Sequence, residues 1–198
     1  MNRTWWASLW VGAVLCAGAR GGDSVLPRLL EGDVDNGLHV VVCPRSADGR
    51  VEVRLTVGAG RFDDQDGDAS CELLARTMAA TWRADGPQRP VLRCDVSDRE
   101  TALCVTTPAN DLPAIFDGLA QLLTRADFAD PIVAEQKAGL LRDLAASARS
   151  PEGEAASVWA DVAVPGHPGR FSGAQRVRAA TGVDEARALA LRSARFVP

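Results

Sequence analysis

The alternation of apolar and polar positions predicts four short strands. The β-branched run 39–43 predicts the first strand, and the segment 51–57 places valine and leucine at every second position, the pattern of a half-buried strand. The segment 91–107 has two extended halves around polar residues 97–99, which predicts a hairpin turning there.

Apolar residues spaced three or four apart predict five helices, over 69–82, 111–125, 130–149, a segment from Pro151, and 184–195. Asn110 and Thr181 are the predicted caps of two of these helices. Trp82 and Trp159 occupy helical positions beside other apolar residues, which favours core packing. The order β-β-α-β-β-α-α-α-α predicts a single α+β domain, an antiparallel sheet covered on one face by helices.

The first 19 residues have the pattern of a cleaved signal peptide. Arg3 precedes an almost wholly apolar run that ends at small residues, Ala17-Gly18-Ala19. A membrane anchor is the alternative, but the run is shorter than the roughly 20 apolar residues that span a bilayer. A lipid anchor at Cys16 is a further alternative, disfavoured by the bulky Leu15. We therefore expect export to the periplasm or exterior, a linker over 20–27, and a folded domain over 28–198.

Charge and acidic clustering exclude some partners. The formal net charge is −4, and no cluster of basic residues is interleaved with aromatic ones, which argues against a nucleic-acid partner. Four acidic residues lie between Asp63 and Asp68. They lack the spacing of an EF-hand loop, so a solvated loop is expected there rather than a calcium site.

Export also changes how the cysteines are interpreted. Removal of the leader leaves Cys43, Cys71, Cys94 and Cys104, with no pair spaced as in a structural zinc site. In the predicted hairpin Cys94 and Cys104 fall roughly opposite each other. They are therefore a candidate disulfide, and two buried free thiols remain the alternative.

Several segments, taken in order, resemble the insulinase/pitrilysin-type zinc peptidases, also called inverzincins. The opening strand 35–41 and the segment 53–61, with LTVGAGR at its core, are similar to the first strands and Gly-rich loop of that family. The helical pair 110–144, the loop 165–168 and the segment 173–198 are similar to its later elements. The resemblance covers residue 28 to the end and implies the N-terminal lobe of such a peptidase.

The family's catalytic motif is H-x-x-E-H on the first helix, where two histidines bind zinc and the glutamate activates water. Aligned through Gly67-x-Ala69, the corresponding positions here are Ser70, Leu73 and Leu74. The chain has two histidines, His39 and His167, and neither lies on this helix. The resemblance therefore implies a peptidase-like protein without a zinc site or other cofactor, and so not an active enzyme.

One acidic remnant is implied by the same resemblance. Asp143 falls where the family has its third, acidic zinc ligand, and Gln136 falls where a further glutamate is usual. Asp143, Glu72, Ser70 and Cys71 could form an altered metal site. An ordinary surface carboxylate is the alternative interpretation of Asp143.

Family members are built from paired homologous domains, of which commonly one carries the metal. The expected function is thus a non-catalytic, exported subunit or fragment that forms a peptide-binding chamber with an active partner or a second homologous domain. Two alternatives are a zinc metalloendopeptidase with an atypical site and a free-standing peptide-binding module of the envelope. In the family a further strand follows the segment similar to 195–198, so the lobe is expected to lack its last strand.

Overall fold

The computed structural model describes residues 10–14, 29–33, 35, 38–43, 49–64, 67–85, 89–125, 127–163 and 171–196. The strands in this part of the chain are β1 Trp10–Val14, β2 Leu30–Asp33, β3 His39–Cys43, β4 Arg50–Val57, β5 Leu92–Val96 and β6 Thr101–Pro108. The helices are α1 Ser70–Asp85, α2 Leu112–Thr124, α3 Asp130–Ala148, α4 Pro151–Ala163, α5 Gly173–Thr181 and α6 Glu185–Arg195.

The described strands form one six-stranded sheet in the order β2-β3-β1-β4-β6-β5. Four of its five neighbouring pairs are antiparallel, and β1 runs parallel to β3. The predicted α+β class, an antiparallel sheet with helices packed on it, is confirmed. The parallel pair was not predicted, because β1 lies within the segment interpreted as a leader.

The main core lies between the inward face of β4 and β6 and the first helices. Val53 and Leu103 are fully buried in it, and Trp82 of α1 is 1% exposed. The indole N–H of Trp82 donates a hydrogen bond of 2.8 Å to the carbonyl of Pro90, which satisfies its one polar atom. The prediction that Trp82 packs in the core is confirmed.

The prediction for Trp159 is wrong. Its side chain is 71% exposed, and Val158 and Val162 of the same helix are exposed as well. Helix α4 therefore presents an apolar stripe outward, because apolar spacing along a helix does not say which neighbour, if any, covers the stripe.

Some helix boundaries also differ from the prediction. Helix α5 was missed, although Ser172 and Gln175 form a capping box at its start. Thr181 ends α5, and it is Asp184 that caps α6 through the amide of Arg187. Asn110 lies in a short 3-10 turn rather than capping α2.

The β5–β6 hairpin turns at 97–100, close to the predicted position, but its register differs. Cys94 pairs with Leu103, and Cys104 pairs with Arg93. Since successive residues of a strand point to opposite faces, the two thiols do not face each other. Both are free, so the predicted Cys94–Cys104 disulfide is wrong.

Within the described residues, no helix combines the length and the apolar character that crossing a membrane requires.

Candidate functional site

The positions that correspond to the zinc motif lie at the start of α1. The chain enters this helix through two left-handed residues, Gly67 with a φ of 71° and Ala69 with a φ of 59°. The left-handed backbone conformation is unfavourable for alanine. The surrounding loop holds Ala69 in it, and this loop orients the first turn of α1.

Two aspartates cap the amino end of α1. Asp64 accepts hydrogen bonds from the amide of Cys71, at 2.8 Å, and from the hydroxyl of Ser70, at 3.1 Å. Asp68 accepts one of 3.0 Å from the amide of Ser70. Negative groups are favoured at this end of a helix, where free amides and the helix dipole meet them. Both aspartates are buried, so the prediction of a solvated acidic loop is wrong for them.

Burial sets the protonation behaviour of this cap. It raises the pKa of Asp64, and the hydrogen bonds from Cys71 and Ser70 only partly oppose that shift. The pKa of the Cys71 thiol is also raised, first by burial and then by the charge of Asp64. Its Sγ donates to the carbonyl of Gly60 at 3.0 Å. Cys71 is therefore a buried thiol that packs in the protein and donates a hydrogen bond.

Glu72 lies between two guanidinium groups. Arg61 donates to one carboxylate oxygen at 2.9 Å, and Arg176 of α5 donates to the other at 3.1 Å. Burial alone would raise the pKa of Glu72, but the charges and hydrogen bonds of Arg176 and Arg61 outweigh it and lower the pKa. A carboxylate engaged in this way is a poor general base, because proton uptake is disfavoured.

Neighbouring acidic residues are engaged by arginines of the last helix. Arg187 contacts Asp68 at 2.9 Å, and Arg195 contacts Asp63 at 2.7 Å. Together with Arg176, these residues bring three guanidinium groups from α5 and α6 to the loop and helix start where the family places its metal. Sequence reasoning missed them. The available signal was the high arginine content of residues 173–195. Only the long-range contacts of the folded chain show which acidic residues these arginines reach.

The remaining motif positions are part of the core. Leu73 and Leu74 are both fully buried, and Ser70 is 1% exposed. Leu73 packs in a cluster that includes Leu140 and Leu144 of α3, whereas Leu74 belongs to the main core. These side chains offer one hydroxyl, already bonded to Asp64, and two hydrocarbon groups. They do not fit a catalytic zinc ion, which takes nitrogen, sulfur or carboxylate ligands.

Asp143 does not join these residues in an altered site. Its side chain is 66% exposed on α3 and pairs with Arg76 of α1 at 2.8 Å. Among the described residues no group of three or more His, Cys, Asp or Glu side chains is placed to hold a metal ion. His39 contacts Asp33 at 2.7 Å, and His167 lies outside the described residues.

Comparison with known proteins places this geometry in a recognised fold. Neither a protein-family model nor a curated protein matches the sequence. A protease from Helicobacter pylori is similar in structure, with a TM-score of 0.73 and 14% identity over 85% of this chain and 43% of that one. A protein described as an M16-like peptidase from Alicyclobacillus acidocaldarius gives 0.73 and 15% identity over 88% of this chain and 44% of that one.

The first half of the periplasmic protease PqqL from Escherichia coli is also similar, with a TM-score of 0.66 and 14% identity. It is matched over 83% of this chain and 39% of its own length. The chain thus has the fold of a lobe of M16-like peptidases and spans less than half the length of these three structures. The fold that the insulinase/pitrilysin-type resemblance implied is confirmed.

Proposed function

We propose that the chain is an exported, non-catalytic peptidase-like lobe that helps to enclose an extended peptide. The observation that carries the proposal is the chemistry of the motif positions. Leu73 and Leu74 are buried hydrocarbon groups, and Ser70 is hydrogen-bonded within the protein. Glu72, the nearest acidic group on the helix, is engaged by two arginines. Such a set can neither hold zinc nor activate water.

The sheet edge beside α1 is the proposed position of the peptide. β5 is the last strand of the sheet on that side, with β6 as its one neighbour in the described sheet. Extended peptides bind such edges by adding a strand, with main-chain hydrogen bonds giving affinity. An unpaired edge strand can also pair with other chains and cause aggregation. A function in which a peptide covers this edge is therefore favoured.

A second domain or an active subunit is the proposed partner. The chain spans less than half the length of each similar structure reported above, so those proteins contain further domains. The outward apolar stripe of α4, formed by Val158, Trp159 and Val162, supports a protein contact on this lobe. The periplasmic location of PqqL and the leader-like pattern of residues 1–19 support export.

Metal analysis tests the non-catalytic proposal against its main rival, a zinc peptidase with an atypical site at Asp143 and Glu72. The purified full chain, dialysed against zinc, is analysed for bound metal alongside Asp143→Ala. We expect substoichiometric zinc in both proteins and no cleavage of unstructured peptides. One zinc per chain that is lost in Asp143→Ala would overturn the proposal.

Co-purification tests the partner. The tagged chain is isolated from its native host, and associated proteins are identified by mass spectrometry. Recovery of a chain that carries an intact H-x-x-E-H motif is the expected result. A chain that purifies alone and still binds unstructured peptides would favour the free-standing binding module instead.

A further inference from the structure

The centre of the sheet is built from a segment that the sequence marks as removable. β3 and β4 follow one another along the chain, yet each pairs with β1 rather than with the other. Trp10 lies opposite His39 on one side and Thr56 on the other, and Val14 lies opposite Cys43 and Glu52. We call the interval between β3 and β4 the strand slot.

The strand slot is an interior position, with backbone groups to satisfy on both sides. β4 is the most deeply packed strand at its border, since its residues Val51, Val53, Leu55 and Val57 are at most 3% exposed. The β2–β3 ribbon joins the rest of the sheet through β1. Removing β1 would therefore leave main-chain donors and acceptors unpaired along two strands and detach the ribbon from the sheet.

The present occupant defines what the strand slot accepts. Residues 10–14 read WVGAV, five apolar residues in extended conformation without proline. They run parallel to β3 and antiparallel to β4. A strand with neighbours on both sides in a sheet is commonly a continuous apolar run. A leader is apolar for a different reason, its passage through the export machinery. One segment thus meets both requirements.

We propose that the strand slot accepts an extended apolar segment of another polypeptide once Trp10–Val14 has been removed. The incoming segment takes the direction and register of β1 and forms main-chain hydrogen bonds to β3 and β4. This is strand addition inside a sheet, so both sides of the added strand are paired. The proposal rests on the export and leader removal proposed above and does not depend on the loss of catalysis.

Cross-linking in the full chain tests the occupancy of the strand slot. In a Cys16→Ser background, Val14→Cys places a thiol opposite the free thiol of Cys43. Neighbouring strands lie about 4.8 Å apart, within the range that a disulfide spans. We expect a cross-link on mild oxidation. The matched control Ala13→Cys, which pairs with Val42, should not cross-link to Cys43. A folded Val14→Cys protein without the cross-link would overturn the proposal.

Strand exchange tests acceptance from another chain. A protease site is inserted within residues 20–27 of the full chain, and the folded protein is cut there. A fluorescent peptide spanning residues 8–16, with Cys16→Ser, is then added in excess. We expect it to displace the cleaved segment and form a one-to-one complex, measured by anisotropy and native mass spectrometry.

A proline-containing peptide provides the control. Gly12→Pro in the labelled peptide removes one main-chain donor, so its affinity should fall by about tenfold or more. Equal binding of the two peptides would mean adventitious hydrophobic adsorption and would overturn the proposal. The same conclusion would follow if the cut protein loses its segment, stays folded by pairing β3 directly with β4, and takes up no peptide.

Discussion

Glu72, in the first turn of α1, accepts a hydrogen bond of 3.1 Å from Arg176 of α5, although the two residues are 104 positions apart in the sequence. Their side chains are 16% and 24% exposed, so solvent screens the pair less than it screens a surface ion pair. The contact ties the helix that would carry the catalytic motif to one of the last two helices of the chain. Glu72 thus has a structural use, next to Leu73, which corresponds to the family's catalytic glutamate.

A double-mutant cycle on this pair should show coupling. Glu72→Gln and Arg176→Gln are each expected to lower the free energy of unfolding by about 1.5–3 kcal/mol, the range for a charged hydrogen bond. The double variant should lose less than the sum of the two, because either change removes the same contact. Urea unfolding provides the measurement. The exposed pair Arg76–Asp143 is the control, with an expected coupling below about 0.5 kcal/mol. A coupling for Glu72–Arg176 no larger than this would contradict the prediction.

The same carboxylate should contribute to acid sensitivity. The pKa of Glu72 is lowered in the folded chain by Arg176 and Arg61, against the effect of burial. Its stabilisation is therefore complete above the ordinary glutamate pKa, about 4.3, and is lost as the pH falls through the lower folded value. Glu72→Gln should accordingly flatten the decline of the free energy of unfolding below about pH 5.

Asp64 should behave in the opposite sense. Its pKa is raised by burial, so the folded chain binds this proton more readily than the unfolded chain does. The contribution of Asp64 to stability is thus greatest at low pH and declines as the pH rises through the folded pKa. Asp64→Asn should make the acid-side decline steeper than in the unaltered protein. Parallel pH profiles for the two variants would contradict at least one of the two assignments.

Restoring the catalytic glutamate should not restore a site. Leu73→Glu places a carboxylate in a fully buried apolar cluster with Leu140 and Leu144. The desolvation of the buried carboxyl group should cost more than about 3 kcal/mol, or prevent folding altogether. Leu73→Met nearly preserves the volume and should cost less than about 1.5 kcal/mol. A Leu73→Glu protein as stable as Leu73→Met would mean that this position opens to solvent.

Gly67 is expected to be the least replaceable residue of the turn before α1. A Cβ there would lie 2.5 Å from Cδ2 of Phe171, and the φ of 71° is itself unfavourable for alanine. Gly49 has a similar φ of 73° but no heavy atom within 4 Å of the added Cβ. Gly49→Ala should therefore cost about 1 kcal/mol from the backbone alone. Gly67→Ala should cost about 1–3 kcal/mol more through crowding of the ring. Equal losses of thermal stability in Gly67→Ala and Gly49→Ala would mean that the Phe171 ring does not lie against Gly67.

The thiols should be slow to react and should not pair. Burial raises the pKa of Cys94 to about 12, and Asp95 contributes to the shift. At pH 7, alkylation of Cys94 in the folded chain should be roughly a thousandfold slower than in the unfolded chain, because the thiolate is the reacting form. Mass spectrometry after iodoacetamide treatment measures both rates. A Cys94–Cys104 disulfide formed in the folded protein would contradict the register described for the hairpin.

Four of the six described strands and most helices follow from local patterns, because alternation and helical spacing reflect one buried face; β1 and β2 were not predicted. The absence of histidine from the first helix is a property of the sequence itself, since the two histidines are His39 and His167. The ion pairs around the start of α1 could not be predicted, because Arg176, Arg187 and Arg195 reach this region from a distant part of the chain. The pairing of Cys94 and Cys104 could not be predicted, because a turn one residue longer or shorter changes which residues of β5 and β6 lie opposite each other. The exposure of Trp159 depends on a neighbour that spacing cannot identify.

The central position of β1 also determines when this protein can fold. Val14 pairs with Glu52, so the middle of the sheet cannot close before both ends of that span have been synthesised and are free to meet. Machinery that holds the first residues stretched during transport would withhold the central strand for as long as it held them. A chain whose first residues were held and then removed would leave that machinery with the middle of its sheet still open.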